Sequence, residues 1–134
     1  MSGENVKRLK AAYDEWNRGN SAGFTNDLHH EVEFHQAAGF PGMGVYRGPE
    51  AVAAALDELV AAFEAFTADP EEIRELEDGR ILVFVRLAGR GRGSGAPFEV
   101  TGAHLFTSAP DGTLLRFEAY FDRSEALEAA GLSE

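Results

Sequence analysis

The run from Phe98 to Asp122, FEVTGAHLFTSAPDGTLLRFEAYFD, constrains the chain more than any other stretch, because it alternates in two halves about a turn. In the first half Phe98, Val100, Gly102, His104 and Phe106 share one side of an expected strand. In the second, Leu115, Phe117, Ala119 and Phe121 share a side, opposite Arg116, Glu118 and Tyr120. Pro110, Asp111 and Gly112 supply the turn, glycine offering a positive φ that other residues resist. His104 is the one ionisable group on the more apolar side. A lone imidazole among aromatic rings is either a buried polar residue with a partner or the working group of a pocket.

The remainder of the chain is read as cover for one face of this hairpin. From Glu4 to Arg18, Val6, Leu9, Tyr13 and Trp16 make one helical stripe, which Gly19 and Asn20 end. Ser21 is placed to cap a short helix carrying Phe24 and Leu28. HHEVEFH then turns extended, with Glu31, Glu33 and His35 on one face and Val32 and Phe34 on the other. His29, His30, Glu31, Glu33 and His35 form the densest group of metal-capable side chains, but no second ligand cluster and no HExxH spacing accompany them, so no metal is expected. The Gly-rich segment between Gln36 and Gly48, with Phe40, Met43, Val45 and Tyr46, reads as an apolar loop placed to fold over a pocket.

Pro49 and Glu50 open a long helix whose apolar stripe runs through Val52, Leu56, Leu59, Val60, Phe63 and Phe66. Strands are expected over 71–77 and 80–90 about the Asp78-Gly79 turn, the second of them central because ILVFVRL is apolar almost throughout. RGRGSGAP lacks phosphate-loop spacing and reads as a hairpin tip. Asp122, three residues before Glu125, reads as the cap of a last helix. The sum is a single α+β domain over residues 1–134, a cone-shaped curved sheet, mixed or antiparallel, with helices packed on its concave face.

In VYRGPEAV, RGRGSGAPFEV, the DG-turn hairpin and YFDRSEALEAAGL the chain resembles the nuclear transport factor 2-like superfamily, in its SnoaL-like or ketosteroid-isomerase-like bacterial members. The resemblance covers nearly the whole chain. It implies a pocket between sheet and helices, a homodimer paired through the outer face of the sheet, and one of several chemistries. By position, His35 stands where steroid isomerases of this fold carry a carboxylate base, His104 where they carry a protonated acid, and Tyr13 or Trp16 near their phenol. Ala119 stands where the fold's epoxide hydrolases need an acid, and RILVFVRL has no carboxylate, which argues against that reaction. Glu118 is nearest to the late-strand carboxylate of SnoaL-type cyclases, yet alternation turns it away from Phe117 and Phe121. The alternation that turns Phe34 inward also turns His35 outward, against the resemblance.

Excess acid, 23 Asp and Glu against 12 Lys and Arg for a net charge of −11, repels phosphate backbones and anionic lipid, so neither nucleic acid nor a membrane is an expected partner. No cysteine is present, and no stretch reaches the length of a membrane span or signal core. Together these give a cytoplasmic expectation. The functional expectation is a small-molecule pocket, with cofactor-independent acid–base chemistry on an apolar, carbonyl-bearing substrate. His104 and His35 are its expected catalytic pair, and Tyr13, Trp16, Phe40, Met43, Phe63, Phe98, Phe106, Phe117 and Ala119 its expected substrate-binding set. The alternative is a ligand-binding or dimerisation module without chemistry. On the outer face Leu105, Tyr120 and Leu114 are the expected dimer contacts.

Overall fold

A computed structural model describes residues 2–36 and 44–132. Helix α1 (Ser2–Asn17) is followed by a single turn, α2 (Ala22–Thr25), then β1 (Leu28–His35), β2 (Val45–Arg47) and α3 (Pro49–Ala62). Four long strands complete the sheet, β3 (Phe63–Glu75), β4 (Ile81–Gly91), β5 (Pro97–Ser108) and β6 (Leu114–Tyr120), and α4 (Arg123–Ala129) closes the chain. The strand order is β2-β1-β6-β5-β4-β3, with β1 parallel to β6 and every other neighbouring pair antiparallel. The sheet is therefore mixed. None of the described helices is long and apolar enough to cross a membrane.

Alternation on β4 and β5 divides the interior in two. Ile81, Val83, Val85 and Leu87 face α1, α2 and α3 together with Phe106 and Phe117, while Leu82, Phe84, Ala103 and Leu105 face the other way. ILVFVRL is covered on both sides, as its unbroken apolar run requires. Helices pack on the pocket face as expected, but α4 does not. Its Ala126 and Leu127, with Ala130 just beyond, cover the outer face. Leu105 is consequently fully buried under α4, and Leu114 packs against the pocket-side core, so the three residues expected to form a dimer surface do not share a free face.

Two boundaries differ from the helical pattern. The stripe of α3 stops at Ala62, and Phe63 and Phe66 lie in β3, where pairing to β4 overrides the three-residue spacing. Val45–Arg47, read as loop, is a short edge strand antiparallel to β1. Leu28, expected on the short helix, opens β1, and Ser21 at the head of α2 donates its hydroxyl to Asp57 Oδ1 (2.6 Å) instead of capping. Asp122 does cap, accepting from the backbone N–H of Ser124 at 2.8 Å and of Glu125 at 3.4 Å. Between α1 and α2, Gly23 is obligatory: a Cβ there would stand 2.8 Å from the Ala12 Cα.

Candidate functional site

His104 is set mid-sheet, opposite Val83 on β4 and Ala119 on β6. Its side chain rises toward α1, where the stripe that buries Ala12 and Trp16 also buries Tyr13 at 1% exposure. The Tyr13 hydroxyl and His104 Nδ1 are 2.7 Å apart, and the two rings lie parallel. Phe117 and Phe106 meet the imidazole edge-on, with ring centres 5.0 and 6.2 Å away. In such surroundings charge is costly. Burial lowers the His104 pKa from 6.5 to about 4 and pushes the Tyr13 phenol well above its ordinary value. Both groups are neutral at pH 7. The phenol is the stronger acid and among the described residues its buried O–H has no other acceptor, so it donates to Nδ1 and leaves the imidazole proton on Nε2.

These two residues stand together in the wall of a cavity of about 40 Å³ between the helices and the sheet. Tyr13 and Trp16 of α1, Phe24 of α2, and Leu56 and Leu59 of α3 wall it from one side. From the sheet come Phe34, Phe66, Ala68, Leu87, Phe117, Ala119 and Tyr120, with Phe121 just past β6 and Gln36 following β1. No Asp, Glu, Lys or Arg is among the described lining residues. The space holds a water or two; an apolar cavity of about 150 Å³ is what takes up a benzene ring, so a ring-sized guest must spread these walls.

Of the expected site residues, Tyr13, Trp16, His104, Phe117 and Ala119 line this cavity. Phe106 lies outside the cavity wall, stacked against both Phe24 and Phe117, and opens onto a second cavity of about 80 Å³ beside Arg8 and Ser108. Phe63 and Phe98 pack on each other and on Phe66 outside the cavity wall. Phe40 and Met43 lie outside the described residues. His35 does not join His104: its Nε2 meets Glu33 Oε1 at 2.8 Å on the face opposite Phe34, and Glu33 also accepts from Arg47 Nε at 3.3 Å. Those two contacts, His35 first, hold the Glu33 carboxyl below its ordinary range.

Sequence reading missed Phe34, Phe66 and Leu87 as wall residues. Phe34 was readable as inward-facing; the two others needed the register. Glu118 turns away from the cavity, accepting from the Tyr120 hydroxyl at 2.6 Å and pairing with Arg116 at 3.5 Å. Among the described residues the ligand atoms of His29, His30 and Glu31 come within 4.8 Å of one another. The two imidazoles, however, stack with centres 4.2 Å apart and planes 26° apart, and an ion must lie near the plane of every ring that binds it. His29 Nδ1 is also occupied, accepting from the Glu31 N–H at 2.9 Å, so as arranged the cluster does not converge on an ion.

A six-stranded mixed sheet curved over helices, enclosing an apolar chamber with a polar pair at its floor, defines the cone-shaped pocket proteins. The chain belongs to the SnoaL-like domain family, which it matches over residues 9–117. No curated protein matches it in sequence. Solved structures of the same fold include a nuclear transport factor 2-like protein of Burkholderia thailandensis, 23% identical, with TM-score 0.76 and coverage of 99% of this chain and 98% of that one. A second, described as a putative SnoaL-like polyketide cyclase from Jannaschia, is 20% identical, with TM-score 0.74 over 98% and 94% of the two chains. A third, from Catenulispora acidiphila, has a ketosteroid isomerase-like fold and was crystallised with trimethylamine; identity is 18%, TM-score 0.69 and coverage 99% and 96%. At these identities the likeness speaks for the fold.

Proposed function

We propose that the cavity takes a small, uncharged, largely apolar molecule bearing a carbonyl oxygen, and that His104 polarises that oxygen in cofactor-independent acid–base chemistry of the isomerase or cyclase kind. The observation that carries this reading is the 2.7 Å bond between Tyr13 and His104 in a largely apolar chamber whose described lining residues include no charged side chain. Tyr13 fixes the tautomer, so the neutral imidazole has an N–H to donate to the ligand. A buried neutral imidazole is a poor proton source but an effective electrophile toward an oxygen that gains charge as an enolate forms, the α-proton passing to water admitted to the cavity with the ligand. The cyclase described for the Jannaschia relative is compatible with such a step. His35 has no part in it.

A second reading, binding without chemistry, is favoured by one specific observation. No carboxylate is among the described lining residues, so no side chain there is an evident base for carbon acids. The experiment that separates the two is NMR on small cyclic ketones in D₂O with wild-type protein and His104→Phe. Catalysis predicts that the α-protons exchange for deuterium faster with wild-type protein than with the variant. Binding that shifts the His104 ring signals without accelerating exchange selects the inert module. If the ring signals stay unmoved by every ketone, both readings fail.

A further inference from the structure

We infer that the molecule taken by this cavity carries two acceptor oxygens, one received by His104 and the other by the Trp16 indole N–H, which makes Trp16 the residue that separates dicarbonyl from monocarbonyl ligands. The inference rests on the reading of the cavity given above and names its substrate class. Trp16 is 5% exposed and forms part of the cavity wall. Its Nε1 is the one buried side-chain nitrogen or oxygen among the described residues without a hydrogen-bond partner. Orphaned N–H groups are rare in folded proteins, because each forfeits the hydration it had in water. Phe24 and Phe66 meet the indole at steep angles, 72° and 81°, with ring centres 5.9 and 5.6 Å away; they hold its plane but supply no oxygen.

The other polar groups beside it are already committed. The Tyr13 hydroxyl is spent on His104 and the Tyr120 hydroxyl on Glu118, and Gln36 is not free either. What the pair presents is therefore donors, Nε2–H of His104 and Nε1–H of Trp16. A ligand with two carbonyl oxygens satisfies both. A ligand with one leaves an N–H unpaired, and an alcohol adds an O–H that neither residue can accept, the mismatch that polar sites reject most strongly. The indole nitrogen has essentially no accessible surface, so an oxygen reaches it only as the walls spread, which a ring-sized guest requires in any case.

The chain has one tryptophan, so a single indole N–H signal reports the site without ambiguity. The probes are cyclohexane, cyclohexanol, cyclohexanone and 1,4-cyclohexanedione, titrated into ¹⁵N-labelled protein. The expected result is a downfield shift of the indole proton with a dione and about tenfold tighter binding of that dione than of cyclohexanone. Trp16→Phe should abolish the preference for the dione over the ketone, whatever the change of wall does to the affinity of each ring. The indole shift is read on the wild-type protein, so it decides the matter even where the variant folds poorly. Equal affinities with a stationary indole signal overturn the role of Trp16 and leave the pocket reading intact. Failure of every ring to perturb His104 or Trp16 overturns both.

Discussion

At the scale of single residues, His104 links the site to stability through its proton. Its pKa is about 4 in the folded chain against 6.5 for an unperturbed imidazole, so between these values the unfolded chain binds the proton that the folded chain refuses. The folded state is therefore favoured in full above about pH 6.5 and loses that advantage as the pH falls toward 4. The size follows from the shift, about 3 kcal/mol at 1.36 kcal/mol per unit. Urea unfolding of wild-type protein and His104→Phe across pH 4–7 should show the difference in their free energies growing with pH by that amount, levelling above 6.5. A flat difference would mean that the imidazole titrates alike in the folded and the unfolded chain. Sequence alone marked His104 as the ionisable group on an apolar face but did not find its partner. Tyr13 lies 91 positions away, and the alternation of a strand says nothing about which helix crosses above it.

Among the elements, β3 is the outermost strand and would present free backbone groups along its outer edge. Asn17, the last residue of α1, answers this by behaving as a fragment of strand. Its Oδ1 accepts from the Ala68 N–H at 2.7 Å, and its Nδ2 donates to the Ala68 carbonyl at 3.1 Å. Asn17→Ala leaves both backbone groups unpaired where they are partly buried, and should cost about 1–3 kcal/mol, read by denaturant unfolding together with faster hydrogen exchange at Ala68. A few residues earlier the same strand bulges between Glu64 and Thr67, and Ala65 takes a φ of 54°, where a side chain crowds the backbone. Ala65→Gly should relieve that crowding and raise stability by about 0.5–1 kcal/mol net of glycine's greater freedom when unfolded, measured by the same unfolding assay. A destabilised variant would show that the Ala65 methyl packs more than it strains. This bulge also explains the misplaced end of α3. Phe63 and Phe66 have helical spacing, no Gly or Pro intervenes, and only the ladder with β4 makes them strand residues. Where local chemistry settled the matter, as at the Asp78-Gly79 turn or the Asp122 cap, sequence and structure agree.

For the whole molecule, the part that sequence could not supply is which face of the sheet each helix takes. Helix α4 has the amphipathic pattern of a pocket-side helix, yet it covers Leu82, Phe84, Ala103 and Leu105 on the outer face. Two arginines fasten it there, one just ahead of β4 and one at the head of α4 itself. Arg80 donates to the carbonyls of Ala129 and Ala130 at 3.2 and 2.9 Å, and the Arg123 guanidinium lies 4.0 Å from the centre of the Phe84 ring. The sheet thus carries apolar side chains on both faces, and the domain has to close the second one without enlarging the cone. Ending the chain after Asp122 removes that cover while leaving the cavity lining and the Tyr13–His104 bond in place. The bared patch is flanked by charge rather than by more apolar surface, with Arg86 paired to Glu71 at 2.8 Å. Apolar faces so exposed associate, so the shortened chain should form larger species than the full chain at equal concentration, seen by light scattering, and Leu105→Lys in the shortened chain should reverse this. Unchanged mass on shortening would mean that the strands repack over the gap, and that α4 contributes little to keeping copies of the chain apart.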